Sequence, residues 1–215
     1  MTAQLWPASI AGSKLDRYFH VCGLFNGKEE ECRVLLPFVR EGLENHEKAL
    51  HIWDPKLREQ HVQHLAGAGI GVADCERDGQ LEILSTDDVY LQNGQFNPVR
   101  MMETFEGALA EGKEQGFPRM RILGHTDWVL DGHPGAEQFL EFEIKVNAVL
   151  ARSQQVAICV YDVNKLSAKL MLDVLRAHPL TIVGGVLHEN PFYTPPDEYL
   201  RELDDRRRAG AKAVA

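Results

Sequence analysis

Cysteine is scarce: Cys22, Cys32, Cys75 and Cys159 are the four in 215 residues, and no two stand in a CxxC pair. The scatter excludes the short paired spacings by which zinc and redox sites usually show themselves. No charged, apolar and small-residue succession opens the chain as a secretory signal would, so a reduced, cytoplasmic protein is expected. Basic residues are also short, 23 against 32 acidic for a net charge of -9. Phosphate backbones demand a field of lysine and arginine, which excludes nucleic acid as a direct partner. No apolar run approaches the roughly 18 residues of a membrane span, and no GxSxG elbow nominates a nucleophilic triad. Repeats, low-complexity blocks and dividing linkers are missing too. With 44% hydrophobic residues, a chain this long buries roughly 70% of its unfolded surface and needs no disulfide or metal to stand.

What is present is an alternation of strand and helix signals. Tyr18 to Phe25 reads as a buried strand, and Val34, Leu35, Phe38, Val39 and Leu43 then recur at helical spacing. Lys48 to Trp53 is a second strand, closed by Asp54-Pro55, where a helix toward Leu65 can start before Gly67, Gly69 and Gly71 break the chain. Leu81 to Leu84 is a third strand. Asn97-Pro98 opens a long helix ending near Gly116, and Arg119 to Leu123 forms a fourth strand. A helix from Gly135 to Leu150 leads into Val156 to Tyr161, apolar enough for a central strand covered on both faces. Leu166 to Ala177 is helical, Leu180 to Val183 a sixth strand, Val186 to His188 a short antiparallel strand and Asp197 to Leu203 a last helix. Connections this long require right-handed crossovers, so the expected fold is α/β, a three-layer sandwich around a mostly parallel sheet. Residues 1–203 form one domain on this reading. The basic stretch within 204–215, with Arg206, Arg207, Arg208 and Lys212, reads as a flexible tail.

Ligands of open parallel sheets sit beyond the carboxyl ends of the strands. There the chain places Gly23 to Glu29, Asp54, the turn Gly124-His125-Thr126-Asp127-Trp128, Asp162 and Gly184-Gly185. The first of these falls short of a phosphate-binding loop: it lacks one residue between its glycines, and Glu29 replaces the hydroxyl residue that would hold magnesium. Asp162 stands where such enzymes keep a magnesium-binding carboxylate, but local capping of the next turn is the simpler role. Glu141 and Glu143 cannot share a helix face, whereas Glu143 and Asn147 can. His20 and Cys22 alternate on one strand and share a face, with Cys159 and His178 in or beside other strands. A metal there is conceivable, but without paired spacing buried cysteine and hydrogen-bonded histidine are favoured, and no metal is expected.

These segments in order, HVCGLFNGKEEE through LHIWDP, YLQNGQFNPVRMM, GHTDW, LEFEIKVN, ICVYD, AHPLTIVGG and ENPFYTPP, resemble the MEDS domain family, a methanogen and methylotroph sensory domain of the dichloromethane-regulator type. The resemblance runs from Phe19 to Leu203. It implies a RecA-like or KaiC-like sandwich without a working phosphate loop, serving as a ligand sensor in signalling or transcription control. The family pattern carries an acid where this chain has His125. The expected function is therefore a non-catalytic regulatory module that binds a small organic molecule and acts on a signalling protein in trans, with a homodimer left open. The rival is a degenerate nucleotide-processing enzyme using Lys28 and Asp162. His20, Cys22, His125, Trp128, Glu143, Asn147 and Asp162 are expected to converge on one ligand cavity. If His125 lines it, affinity should change between about pH 5.5 and 7.5, where an unperturbed imidazole titrates.

Overall fold

The computed structural model describes residues 7–214. A two-residue hairpin, β1 (Ser9–Ile10) and β2 (Ser13–Lys14), precedes β3 (His20–Phe25), α1 (Lys28–Glu44) and β4 (Lys48–Trp53). Then come α2 (Arg58–Gly67), α3 (Val72–Arg77), β5 (Leu81–Ser85), α4 (Thr86–Val89), α5 (Pro98–Glu114) and β6 (Met120–His125). The remainder is α6 (Phe139–Ser153), β7 (Val156–Asp162), α7 (Ala168–Ala177), β8 (Leu180–Val183), β9 (Val186–Glu189) and α8 (Pro196–Val214). Seven strands form one sheet in the order β5-β4-β6-β7-β3-β8-β9, parallel throughout except for the β8–β9 hairpin at one edge.

Side-chain alternation sorts the core into two layers. Val21, Phe25, Ala49, Trp53, Leu123, Ile158 and Val160 pack against Val34, Leu35, Phe38 and Val39 of α1 and Leu65 of α2. The intervening residues Leu50, Ile52, Ile122 and Ala157 face Met101 and Phe105 of α5 and Phe142 and Val146 of α6. Cys22, Cys159 and Tyr161 on that second face meet Val174 of α7. The central strands are apolar on both sides because helices cover both sides.

Two sequence expectations change. A short helix, α3, occupies the stretch after the glycine break. The last helix does not stop at Leu203 but continues to Val214, so the expected flexible tail is helical. Arg206 reaches Asp173 at 2.8 Å and Arg207 reaches Glu141 at 3.2 Å, tying this extension to α7 and α6. Tyr199, wholly buried, donates its hydroxyl to the Asp173 side chain at 2.9 Å.

At the amino ends of β4 and β6 a polar network replaces apolar packing. Glu47, 2% exposed, accepts hydrogen bonds from the guanidinium groups of both Arg119 and Arg121, themselves buried. Arg121 also donates to the Phe38 carbonyl and to Glu41, each at 2.7 Å, and lies over the Phe38 ring.

The turn into α6 depends on one glycine. Gly135 has φ +85°, and a Cβ there would lie 2.1 Å from the Phe96 carbonyl oxygen. Gly135→Ala is expected to cost on the order of 2 kcal/mol or more, since backbone rather than a flexible side chain must yield; urea denaturation of the variant measures it.

Candidate ligand-binding site

The carboxyl ends of β3, β4, β6 and β7 open into two adjoining clefts that share His125 and Asp127. The smaller, about 110 Å³, is walled by Phe25, Lys28, Glu31, Asp162 and Lys165. The larger, about 300 Å³, lies beside Asp54, Thr86, Asp87, Trp128, Asp131 and His133. Local chemistry explains the positions of these groups. Asp54 accepts from the Lys56 amide at 2.8 Å and starts the turn before α2. Asp162 accepts from the Asn164 amide at 3.0 Å, the local capping role expected for an aspartate at a strand end.

The loop between β3 and α1 is filled by its own carboxylates. Glu30 accepts the Asn26 amide at 2.7 Å, and Glu31 holds the Lys28 ammonium at 2.8 Å through both oxygens. Glu29, Glu30 and Glu31 all stand in the first turn of α1. They complement the helix dipole and repel any anion brought to its N-terminus. Burial raises the Glu31 carboxyl above its usual range, with Lys28 opposing the shift.

Trp128 packs its indole on Tyr90, with ring centroids 5.0 Å apart, and edge to face on Phe139. Its Nε1 is buried with no hydrogen-bond partner among the described residues, a state that costs about 1–3 kcal/mol in an interior. His125, 5% exposed, sits 3.8 Å from Asp127 and 4.9 Å, centroid to centroid, from the Trp53 ring. Burial draws its pKa down to about 4, outweighing the opposite pull of Asp127. The affinity change expected between about pH 5.5 and 7.5 for an unperturbed imidazole therefore moves below that window, because His125 is neutral throughout it.

The expected single cavity is divided by the sheet itself. His125 and Asp162 share the α1 face and the smaller cleft, and Trp128 joins His125 in the larger one. His20, Cys22, Glu143 and Asn147 lie on the opposite, α6 face. Cys159 and Asp162 are three residues apart on β7, so strand alternation sends them to opposite sides. The four interior residues instead join Cys159 and His178 in a buried network. His20 Nδ1 is 3.2 Å from Asn147 Oδ1, and Cys159 Sγ is 3.4 Å from both His20 Nε2 and Glu143 Oε1. His178 Nε2 lies 2.8 Å from Glu143 Oε2. Desolvation lowers the His20 pKa to about 3 and raises the Cys22 and Cys159 thiols well above their ordinary range.

Sequence reading missed the carboxylates that crowd the strand ends, Asp87 and Asp131 among them, and the role of Glu31. The run Glu29-Glu30-Glu31 was the available signal, since three acids opening a helix beside a lysine oppose a phosphate site.

Among the described residues no helix is long and apolar enough to cross a membrane. The fold is that of RecA-like proteins. A KaiC-like protein from Pyrococcus horikoshii superposes with a TM-score of 0.54 at 15% identity, over 80% of this chain and 73% of that one. The transcriptional repressor DcmR of Methylorubrum extorquens is 22% identical over 170 residues, 79% of this chain. The chain spans only 61% of that relative's length. Residues 19–179 match the methanogen/methylotroph, DcmR sensory domain, and the chain belongs to this MEDS family.

Proposed function

We propose that the chain is a regulatory sensor domain, acting in the cytoplasm, that binds a small organic molecule in the clefts over the strand ends and passes the binding event to a signalling or transcription-control protein. The observation that carries this reading is the buried Trp128 indole N–H, unpartnered among the described residues, beside a cavity large enough for a small molecule. Membership of a sensory family agrees with it. The contacts proposed for the ligand are His125, Trp128 and Asp162; His20, Cys22, Glu143 and Asn147, on the other face of the sheet, are not among them.

The lining supports a particular ligand class. Asp54, Asp87, Asp127, Asp131 and Asp162 outnumber the lysines Lys28, Lys56 and Lys165 around the clefts, and Lys28 and Lys165 are engaged by Glu31 and Asp127. A field of this sign favours a cationic or hydrogen-bond-donating group on a small apolar body, with an acceptor atom beside it for the Trp128 N–H, and disfavours phosphate.

Native mass spectrometry of the full chain from its own source is expected to show one retained small molecule. Thermal-shift titration with small amino alcohols, which carry an ammonium and a hydroxyl acceptor, against alcohols of equal size, is expected to favour the cations. Trp128→Phe, which removes the indole N–H and keeps an aromatic ring, should weaken the retained ligand about tenfold if that donor is used. Magnesium-dependent nucleotide hydrolysis lost in Asp162→Ala would establish the rival enzyme reading instead.

A further inference from the structure

On the α6 face, four donor atoms, His20 Nε2, Glu143 carboxylate oxygen, Cys159 Sγ and His178 Nε2, lie within 4.8 Å of one another in a fully buried cluster. They come from β3, α6, β7 and the turn before β8, so the fold collects them. We propose that these residues form a four-coordinate site for a divalent transition metal of the zinc class.

Hydrogen bonds around the cluster set the imidazole tautomers. Asn147 spends its amide N–H groups on the carbonyls of Ala177, at 2.9 Å, Ile144, at 3.1 Å, and Glu143, at 3.2 Å. Its oxygen therefore faces His20 Nδ1 and accepts the proton there, leaving a lone pair on His20 Nε2. His178 Nδ1 lies 2.7 Å from the Val174 carbonyl and donates to it. That leaves His178 Nε2 as a second lone pair, 2.8 Å from Glu143 Oε2, yet neither atom has a hydrogen-bond partner among the described residues. Two lone pairs at that distance repel unless a cation lies between them, either a proton on His178 or a metal ion. A metal-bound histidine characteristically donates its other N–H to a carbonyl or carboxylate, and both histidines here donate theirs to an oxygen.

Spacing and charge agree with a metal. Zinc at about 2.0–2.3 Å from nitrogen, oxygen and sulfur ligands gives tetrahedral edges of roughly 3.3–3.6 Å. Through Glu143 Oε2 the observed edges are 3.6 Å to His20 and 2.8 Å to His178, His20 to Cys159 is 3.4 Å, Cys159 meets the other carboxylate oxygen, Oε1, at 3.4 Å, and all four donors lie within 4.8 Å of one another. The shorter His178 to Glu143 contact opens by less than an ångström to match. Binding expels the Cys159 thiol proton to solvent, so a dication is met by one thiolate, one carboxylate and two neutral imidazoles. The net charge of the filled site is zero, which is what burial demands.

The test uses the full chain, stripped with chelator and titrated with cobalt(II), followed by zinc competition and elemental analysis. One equivalent is expected, with intense tetrahedral d–d bands and a thiolate-to-cobalt charge-transfer band that zinc abolishes. Cys159→Ser should lose the charge-transfer band while Cys22→Ala keeps it, and Asn147→Ala, which removes the acceptor that holds His20 Nδ1, should weaken cobalt binding about 10- to 100-fold. If Cys159→Ser fails to fold, the wild-type spectrum still decides. Failure of the stripped wild type to bind, or a cobalt spectrum without the thiolate band, would overturn the site and leave a protonated His178 paired with Glu143. This outcome is independent of the strand-end ligand, which lies on the other face of the sheet.

Discussion

Lowering the pH from 7.5 to 5.5 is expected to remove about 5.5 kcal/mol of folding stability through His20, His51, His61 and His125, at about 1.4 kcal/mol for each histidine held neutral one unit below its unfolded pKa. His51 and His61 are buried and share a hydrogen bond of 2.9 Å, with His61 stacked on Trp53. Burial lowers the pKa of each, and mutual repulsion adds to the effect at His61. The unfolded imidazoles take up protons as the pH falls through about 6.5, while the folded ones stay neutral down to much lower pH. Between those limits the unfolded state binds more protons, so stability rises with pH and is lost on acidification. Carboxylates held below their usual range, such as Glu141 beside Lys145 and Arg207, add their own loss only nearer pH 4. Urea midpoints at half-unit intervals would measure the slope. His125→Gln should remove about a quarter of it, and a wild-type profile flat from pH 7.5 to 5.5 would show that these imidazoles take up protons in place.

Replacing Glu47 should have a comparable effect at neutral pH. Glu47→Gln keeps the side-chain shape but leaves Arg119 and Arg121, 3% and 1% exposed, without the carboxylate that binds both. Removing one partner of a buried ion pair costs about 3–5 kcal/mol. In a chain of this size, that corresponds to a midpoint lowered by roughly 6–20 °C in thermal unfolding. Glu41 gives a contrast, because its side chain is 33% exposed and, of the two arginines, meets Arg121 only, while also accepting the Ser9 amide at 3.0 Å; Glu41→Gln should cost about 1 kcal/mol. Equal losses in the two variants would show that Glu47 is not the centre of the network.

The strands were legible because burial on both faces leaves apolar runs such as Val156 to Tyr161, whose type does not depend on distant residues. The helical extension past Leu203 was not, since its supports, Asp173 and Glu141, are distant in sequence and Arg206 and Arg207 by themselves look like a solvated tail. At the functional site, pairing within an element was readable: His20 with Cys22, and Glu143 with Asn147. Placement between elements was not. Knowing that His125 and Asp162 end neighbouring strands does not tell which face each meets until the register is known, and that register set them apart from Cys159. The sequence brought His20, Cys159 and His178 into view as a conceivable metal site but not Glu143, and with members separated by 123, 16 and 19 positions, far outside any short ligand motif, it favoured the reading without metal.

The β8–β9 hairpin bears on how the sheet meets its surroundings. Val183 and Val186 are register partners beside the turn and are half exposed. By reversing direction, β9 caps the parallel sheet with a strand of only four residues that ends in His188 and Glu189. A neighbouring chain seeking to add a strand there would find few free amides and a charged terminus, so this edge resists templated aggregation even though the strands behind it are almost wholly apolar.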